Sequence, residues 1–290
     1  MTDTAPVRFS YEFFPPRSEP MQNRLWRAMG QLERFGPSFF SMTYGAQGSA
    51  REISIDTALA MHRESPVPTA AHLTCCAAPR AQVDAVARGF YDAGIRRIVA
   101  LRGDQPQGVP PAADEYGSVI ELIASLRNFD EIDISVAAYP EPHPQARSAL
   151  ADLQHLQRKF DAGADRAITQ YFFDADCFLR FRDRAARLGI DKPIVPGILP
   201  VHDIERIKRF SERCGASVPA VYDALFAAVD GRPDAQYRLA LELAVELCER
   251  LMREGVDCFH FYTLNQTDLC LDISLALGAS LKPPKLIPAA

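Results

Sequence analysis

Residues Asp92–Asp104 read DAGIRRIVALRGD, and the parsing of this stretch decides the fold. A helical pattern over 81–93 stops at Gly94, the residue type that caps helix C-termini. Arg97–Leu101 (RIVAL) is a short β-rich run, and it breaks on Arg102-Gly103-Asp104, a charged turn at the strand's end. Helix, glycine stop, strand and polar strand end follow one another again at 161–170 (DAGADRAITQ) and 253–262 (REGVDCFHFY). The words differ each time, so this is a shared grammar and not an internal sequence repeat.

Outward from there the chain divides into eight such units. Strands are predicted at Val7–Phe14, Phe39–Tyr44, Thr69–Cys75, Arg97–Leu101, Ile134–Tyr139, Ala167–Phe173, Ile194–Leu199 and Phe259–Leu264. The spacing predicts helices near 22–34, 53–64, 81–93, 119–127, 145–162 and 177–187. Further helices are predicted near 203–213, 218–229, 235–254 and 269–277. Eight strand–helix units are the count of a closed (β/α)8 TIM barrel. An open doubly wound sheet alternates in the same way but usually has fewer strands. The expectation is α/β, one catalytic barrel domain over residues 1–290, with the proline-rich 282–290 a coil tail.

Composition bounds the function. Of 290 residues 48% are hydrophobic, enough for a large core, and a net charge of −5 gives no field that would draw nucleic acid or an anionic membrane. No apolar run approaches the ~20 residues that span a bilayer, and the N-terminus has no basic segment followed by an apolar one. Seven cysteines form no C-x-x-C pair and several lie in apolar runs, which reads as a reduced, cytoplasmic protein. Five lysines, at 159, 192, 208, 282 and 285, close no strand, which argues against a Schiff-base aldolase. Without His-x-His, His-Glu-x-x-His, Gly-x-Gly-x-x-Gly or a Walker loop, no metal is expected and a nucleotide must bind in another way.

Alternation along the first strand sets Phe9, Tyr11 and Phe13 on one face, and Ser10, Glu12 and Phe14 on the other. The helix-covered outer face must be apolar, so Glu12 points into the barrel near its C-terminal mouth, where barrel active sites lie. Thr43, His72, Thr74, Arg102, Asp104, Tyr139, Glu141, Gln170 and Asn265 end the other strands. A rim is solvated, so Thr43, Thr74, Glu141 or Asn265 taken singly is as readily surface decoration. Two states are open to Glu12: an ion pair, with Arg102 as a partner, or a carboxyl held protonated by desolvation, which would make it a general acid. On the predicted helix at 145–162, Asp152, His155 and Lys159 share one face, opposite Ala149, Leu153, Leu156 and Phe160. Periodicity alone reads that polar stripe as solvated surface.

The blocks SYEFFPPR, SMTYGAQG, AAHLTC, RRIVALRGDQP, ISVAAYPEPHP, KFDAGADRAITQYFFD, PIVPGILP and HFYTLN occur in this order over about residues 8–278. Together they resemble methylenetetrahydrofolate reductase of the bacterial, single-domain kind. The resemblance implies a barrel that holds FAD, takes electrons from NADH (or NADPH), and converts 5,10-methylenetetrahydrofolate to 5-methyltetrahydrofolate by ping-pong kinetics. It also implies a place in one-carbon metabolism and methionine biosynthesis, and a homo-oligomer is expected.

Residue by residue, the resemblance makes Glu12 the acid that protonates N10 and opens the bridging ring. Asp104 becomes the carboxylate beside the flavin. Gln170 becomes the hydrogen-bonding partner of pterin or nicotinamide, and Phe210 an aromatic packing on either ligand; helical spacing with Ile207 makes ordinary core the other reading of Phe210. Cofactor contacts carry over to Thr43 (nearer NADH), Tyr44, Ala46, His72, Arg102, Gly103, Asp104, Tyr116, Gly117, Tyr139, His143, Ala146, Asp152, His155, Arg158 and Lys159. Two positions that face folate in the family depart from its pattern: Gln266 stands where arginine is usual, and Arg206 where glutamine is common. The expectation is a cation moved across the cleft, still meeting a folate carboxylate. His155 stands where asparagine is frequent.

Overall fold

Phe9, Tyr11 and Phe13 are buried on one face of β1 (Arg8–Phe13), and Ser10 and Glu12 are buried on the other. That double burial is what a strand inside a closed, helix-covered barrel requires. The computed structural model describes residues 6–45, 48–105, 108, 112 and 114–281. Ala46 and the tail at 282–290 lie outside them.

The elements alternate from end to end. After β1 come α1 (Glu19–Glu33), β2 (Phe40–Met42), α2 (Gly48–Glu64), β3 (Thr69–Thr74), α3 (Arg80–Asp92), β4 (Arg97–Leu101) and α4 (Val119–Leu126). Then follow β5 (Asp133–Ala138), α5 (Ala149–Asp161), β6 (Arg166–Thr169), α6 (Ala175–Arg187), β7 (Ile194–Val195) and β8 (Gly197–Ile198). The chain continues through α7 (Ile204–Cys214), α8 (Val221–Ala228), α9 (Pro233–Arg253), β9 (Cys258–Tyr262) and α10 (Asp268–Ala276). All pairings are parallel, in the order β7-β6-β5-β4-β3-β2-β1-β9-β8.

The nine segments occupy the eight predicted positions, because the seventh run is cut at Pro196. Proline has no N–H to give a ladder. β7 pairs with β6 before the cut, β8 pairs with β9 after it, and the seventh run thereby bridges the two ends of the sheet. Gly197 is confined there: a Cβ would lie 2.2 Å from the Thr169 carbonyl oxygen.

The predicted helix at 145–162 starts later, at Ala149, with the Ser148 hydroxyl capping it by accepting from Ala151 N–H. Residues 143–146 instead fold into a turn, with Ala146 N–H donating to the His143 carbonyl at 2.7 Å. β6 likewise stops at Thr169, four residues short of the predicted end.

Inside the barrel a small apolar cluster of Phe39, Ala70, Val99 and Ile168 fills the floor. Below it Asp133 bridges the guanidinium groups of Arg97 and Arg166. Above it the polar interior begins.

Candidate active site

In register, Ser10 faces His260, and Glu12 lies between Ser41 and Tyr262 on the adjoining strands. Thr263 fixes this part of β1, its hydroxyl donating to the Glu12 carbonyl at 2.6 Å. Glu12 is 7% exposed, and its Oε2 lies 3.4 Å from His72 Nε2 and 3.6 Å from His260 Nε2. These are ion-pair distances, but neither Nε2 makes a hydrogen bond. Burial holds the His72 imidazole below its usual pKa, against the opposing pull of Glu12. Arg102, the ion-pair partner considered from sequence, turns away and donates to Gln145 Oε1 at 2.7 Å.

Glu12 and His72 line an inner cavity of about 380 Å³, together with Thr43, Tyr44, Gln170, Phe210 and Tyr262. Phe210 is 42% exposed and stacks on Tyr171, so it is a wall of the mouth and not core. Leu101, Asp104, Ala137 and Tyr139 border this cavity and also a second one of about 600 Å³ beside it. The outer cavity is walled by Arg102, Gly103, His143, Ala146, Asp152, His155, Arg158 and Lys159. Burial pushes the Tyr139 phenol up to about 12.

The polar stripe of α5 therefore faces a cavity. Lys159 is 7% exposed, its Nζ donating to the Ala137 carbonyl at 2.8 Å. Burial pushes its ammonium down to about 8, partly offset by Asp152. His155 is driven to about 4 by burial and by the Lys159 and Arg158 charges, and is neutral at pH 7. Asp152 accepts from His143 N–H at 2.9 Å and holds the 143–146 turn against the helix. The cationic groups of this wall suit phosphate oxygens.

The methylenetetrahydrofolate reductase family model matches residues 1–278. The chain is 43% identical to the 5,10-methylenetetrahydrofolate reductase of Pectobacterium carotovorum over 94% of its own length and 90% of the relative's. It is 42% identical to the Escherichia coli enzyme of the same name, over 94% and 91%.

The chain belongs to the methylenetetrahydrofolate reductase family.

It is an oxidoreductase of folate metabolism on that ground. In fold, the reductase is similar to a solved Clostridium thermocellum protein that binds two copies of 5-methyl-5,6,7,8-tetrahydrofolic acid. The TM-score is 0.60 at 12% identity, covering 93% of this chain and 94% of that one. No helix among the described residues is long and apolar enough to cross a membrane.

Among the described residues, four of the reductase's predicted site residues do not border either cavity. Tyr116 is buried, its hydroxyl donating to Asp84 and its ring lying under the Arg80 guanidinium. The Gly117 N–H donates to Glu121 at 3.3 Å. Arg206 is exposed on the first turn of α7, with His202 and Asp268 nearby, and Gln266 sits in the turn after β9. Asn265 clamps that turn to β1, accepting from Phe14 N–H at 2.8 Å and donating to its carbonyl at 2.9 Å.

Sequence reasoning passed over His260, Tyr262 and Tyr171. Period-2 alternation in Cys258–Tyr262 carried the signal for the first two, since it turns His260 and Tyr262 inward together. Tyr262 donates its hydroxyl to the Thr169 carbonyl at 2.7 Å and forms part of the wall beside Glu12.

Proposed function

We propose that this enzyme reduces 5,10-methylenetetrahydrofolate to 5-methyltetrahydrofolate with electrons from NADH or NADPH, through a resident FAD, in a ping-pong cycle. The observation that carries this reading is a buried carboxyl, Glu12, on the wall of an inner cavity that shares Asp104 and Tyr139 with a cation-bearing outer one.

The residues present fit FAD. The outer cavity has the volume and the Arg158 and Lys159 charges for a dinucleotide's phosphates, and the inner one has aromatic walls for a ring system. Gly103 supports the fit: its φ is +83°, and a Cβ there would lie 2.9 Å from both Cys76 Sγ and Thr74 Cβ. Arg102, Gly103, Tyr139, His143, Ala146, Asp152, Arg158 and Lys159 would hold the cofactor along the outer cavity, with Thr43, Tyr44 and His72 at the inner end. When bound, FAD supplies the hydride chemistry between the nicotinamide and the folate carbon.

The protein's own residues supply the rest. Glu12 donates its proton to N10 of the bridging ring, which opens the ring to the N5 iminium. The Asp104 carboxylate, bordering both cavities, steadies that cation. Gln170 hydrogen-bonds the pterin or the nicotinamide, and Phe210 packs on whichever is present. Use of one pocket by both substrates in turn is what makes the cycle ping-pong. Arg206 and Gln266 are assigned to the folate's distal end, outside the inner cavity. The seven free cysteines support a cytoplasmic setting.

Glu12→Gln tests the reading under anaerobic conditions. The variant keeps its flavin and is bleached by NADH at the wild-type rate. Its reoxidation by methylenetetrahydrofolate falls by about 10²–10⁴-fold, the usual contribution of a general acid. Normal folate turnover in this variant would refute the assignment.

A further inference from the structure

Gln170 and Phe210, the two side chains assigned to read either ligand, come from different elements: Gln170 follows β6, and Phe210 lies on α7. Tyr171 touches both. Its backbone N–H donates to Gln170 Oε1 at 3.0 Å, and its ring stacks on Phe210 with centroids 6.1 Å apart and planes 14° from parallel. Its hydroxyl is hydrogen-bonded to Ser211 Oγ at 3.0 Å, one residue beyond Phe210, and the Cys214 thiol is in reach one turn further along the helix. Tyr171 and Ser211 are both buried.

α7 has little else to hold it. Among its described residues only Ile207 and Ser211 are buried, while Arg206, Arg209, Phe210 and Arg213 are exposed. One isoleucine is a small apolar anchor for about three turns of helix. The other buried position carries a hydroxyl, which tolerates burial only with a hydrogen-bond partner. That partner is rigid. Tyr171 packs on the rings of Phe173 and Tyr262, with centroids at 5.6 and 6.3 Å, and Tyr262 is itself bonded to the Thr169 carbonyl. Burial holds the Tyr171 phenol above its ordinary pKa, so it stays a neutral hydroxyl.

We propose that Tyr171 and Ser211 are positioning residues: their hydroxyl pair ties α7 to the end of β6 and so fixes Phe210 relative to Gln170 for whichever ligand is present. The inference rests on Gln170 and Phe210 reading both substrates in the inner cavity. Neither hydroxyl takes part in a chemical step. A ligand needs α7 in place, so its apparent affinity scales with the fraction of molecules in which α7 is tied. That fraction is the same for the folate and for the nicotinamide. Loosening the tie therefore weakens both by one common factor. Once a ligand is bound, α7 is in place and the chemical step runs at its ordinary rate. The cofactor is assigned to residues outside α7, so its retention is unaffected.

The test is the pair of half-reactions, followed separately by anaerobic stopped flow on flavin-loaded enzyme. Tyr171→Phe keeps the ring, its stacking on Phe210 and the backbone N–H to Gln170, and removes only the hydroxyl. The NADH concentration that half-saturates bleaching and the methylenetetrahydrofolate concentration that half-saturates reoxidation should both rise about fivefold, the equilibrium equivalent of one neutral hydrogen bond, with both limiting rates held. Ser211→Ala should raise both to a similar extent from the opposite side. Combining the two should add little, because the partners of one bond do not act independently. Unchanged half-saturation in Tyr171→Phe, a rise for one ligand alone, or effects that multiply in the double variant would overturn the tie. A lower Tm with unchanged half-saturation would also overturn it and mark the pair as packing alone. Should Ser211→Ala not fold, the common factor in Tyr171→Phe decides the matter by itself. Phe210→Ala separates this inference from the reading beneath it: if that variant half-saturates like wild type with both ligands, it is the assignment of Phe210 that fails.

Discussion

Lys159→Met should make the flavin-free protein more stable and the flavin-loaded protein weaker in its grip on the cofactor. Lys159 is held in a site that lowers its ammonium from 10.5 to about 8. At about 1.4 kcal/mol per tenfold change in proton affinity, keeping that charge buried costs about 3 kcal/mol at pH 7. Methionine removes that cost and retains most of the apolar stem. It also leaves the Ala137 carbonyl without its 2.8 Å donor, which gives back about 1 kcal/mol. The net expectation is about 2 kcal/mol of added stability, or roughly 4–8 °C in Tm for a chain of this size.

The sign with pH follows from the same shift. The folded-state pKa is below the unfolded value, so between about 8 and 10.5 the unfolded chain binds more protons than the folded one. Wild-type stability should therefore gain up to about 3 kcal/mol from this group as pH rises through that window. Lys159→Met should lack the gain. Urea denaturation of flavin-free protein from pH 7 to 10 reads both effects, and flavin fluorescence reads the affinity, expected to fall at least tenfold. A variant less stable than wild type at pH 7, with an unchanged slope in pH, would refute the account of a strained buried cation.

Gly103→Ala should cost about 1–3 kcal/mol, because it puts a side chain at φ +83° and within 2.9 Å of Cys76 and Thr74. The same change should leave the purified protein largely colourless; full flavin occupancy would contradict the tight fit assigned to this turn. His155→Asn should leave flavin affinity within about threefold of wild type between pH 6 and 8, since burial and the neighbouring cations already keep His155 uncharged there. Arg158→Ala, by contrast, should weaken flavin binding about tenfold or more, with a reduced dependence on salt in titrations.

Much of the site was legible because strand and helix periods report which residues share a face. Alternation in β1 turned Glu12 inward, and the 3.6-residue period of α5 gathered Asp152, His155 and Lys159 on one side. The late start of α5 was not legible, because the sequence carries both a helical pattern from 145 and the Ser148 cap that wins. The place of Tyr116 was hidden for a related reason: its partners, Asp84 and Arg80, lie on another helix.

The chain's order of glycine stops, short β-rich runs and amphipathic helices determined eight parallel units and an acid on the inner wall, since both are local consequences of backbone period and side-chain polarity. Ring closure supplied everything that depends on distance across the barrel. It set His260 against Ser10, 250 residues earlier, and brought its Nε2 to 3.6 Å from Glu12. It also placed the end of β5 over α5, so that a stripe with the composition of a solvated surface became the wall of a cavity and Lys159 lost its water. A sequence period names the face a side chain occupies; only packing decides whether water, a carbonyl or a carboxyl group stands opposite.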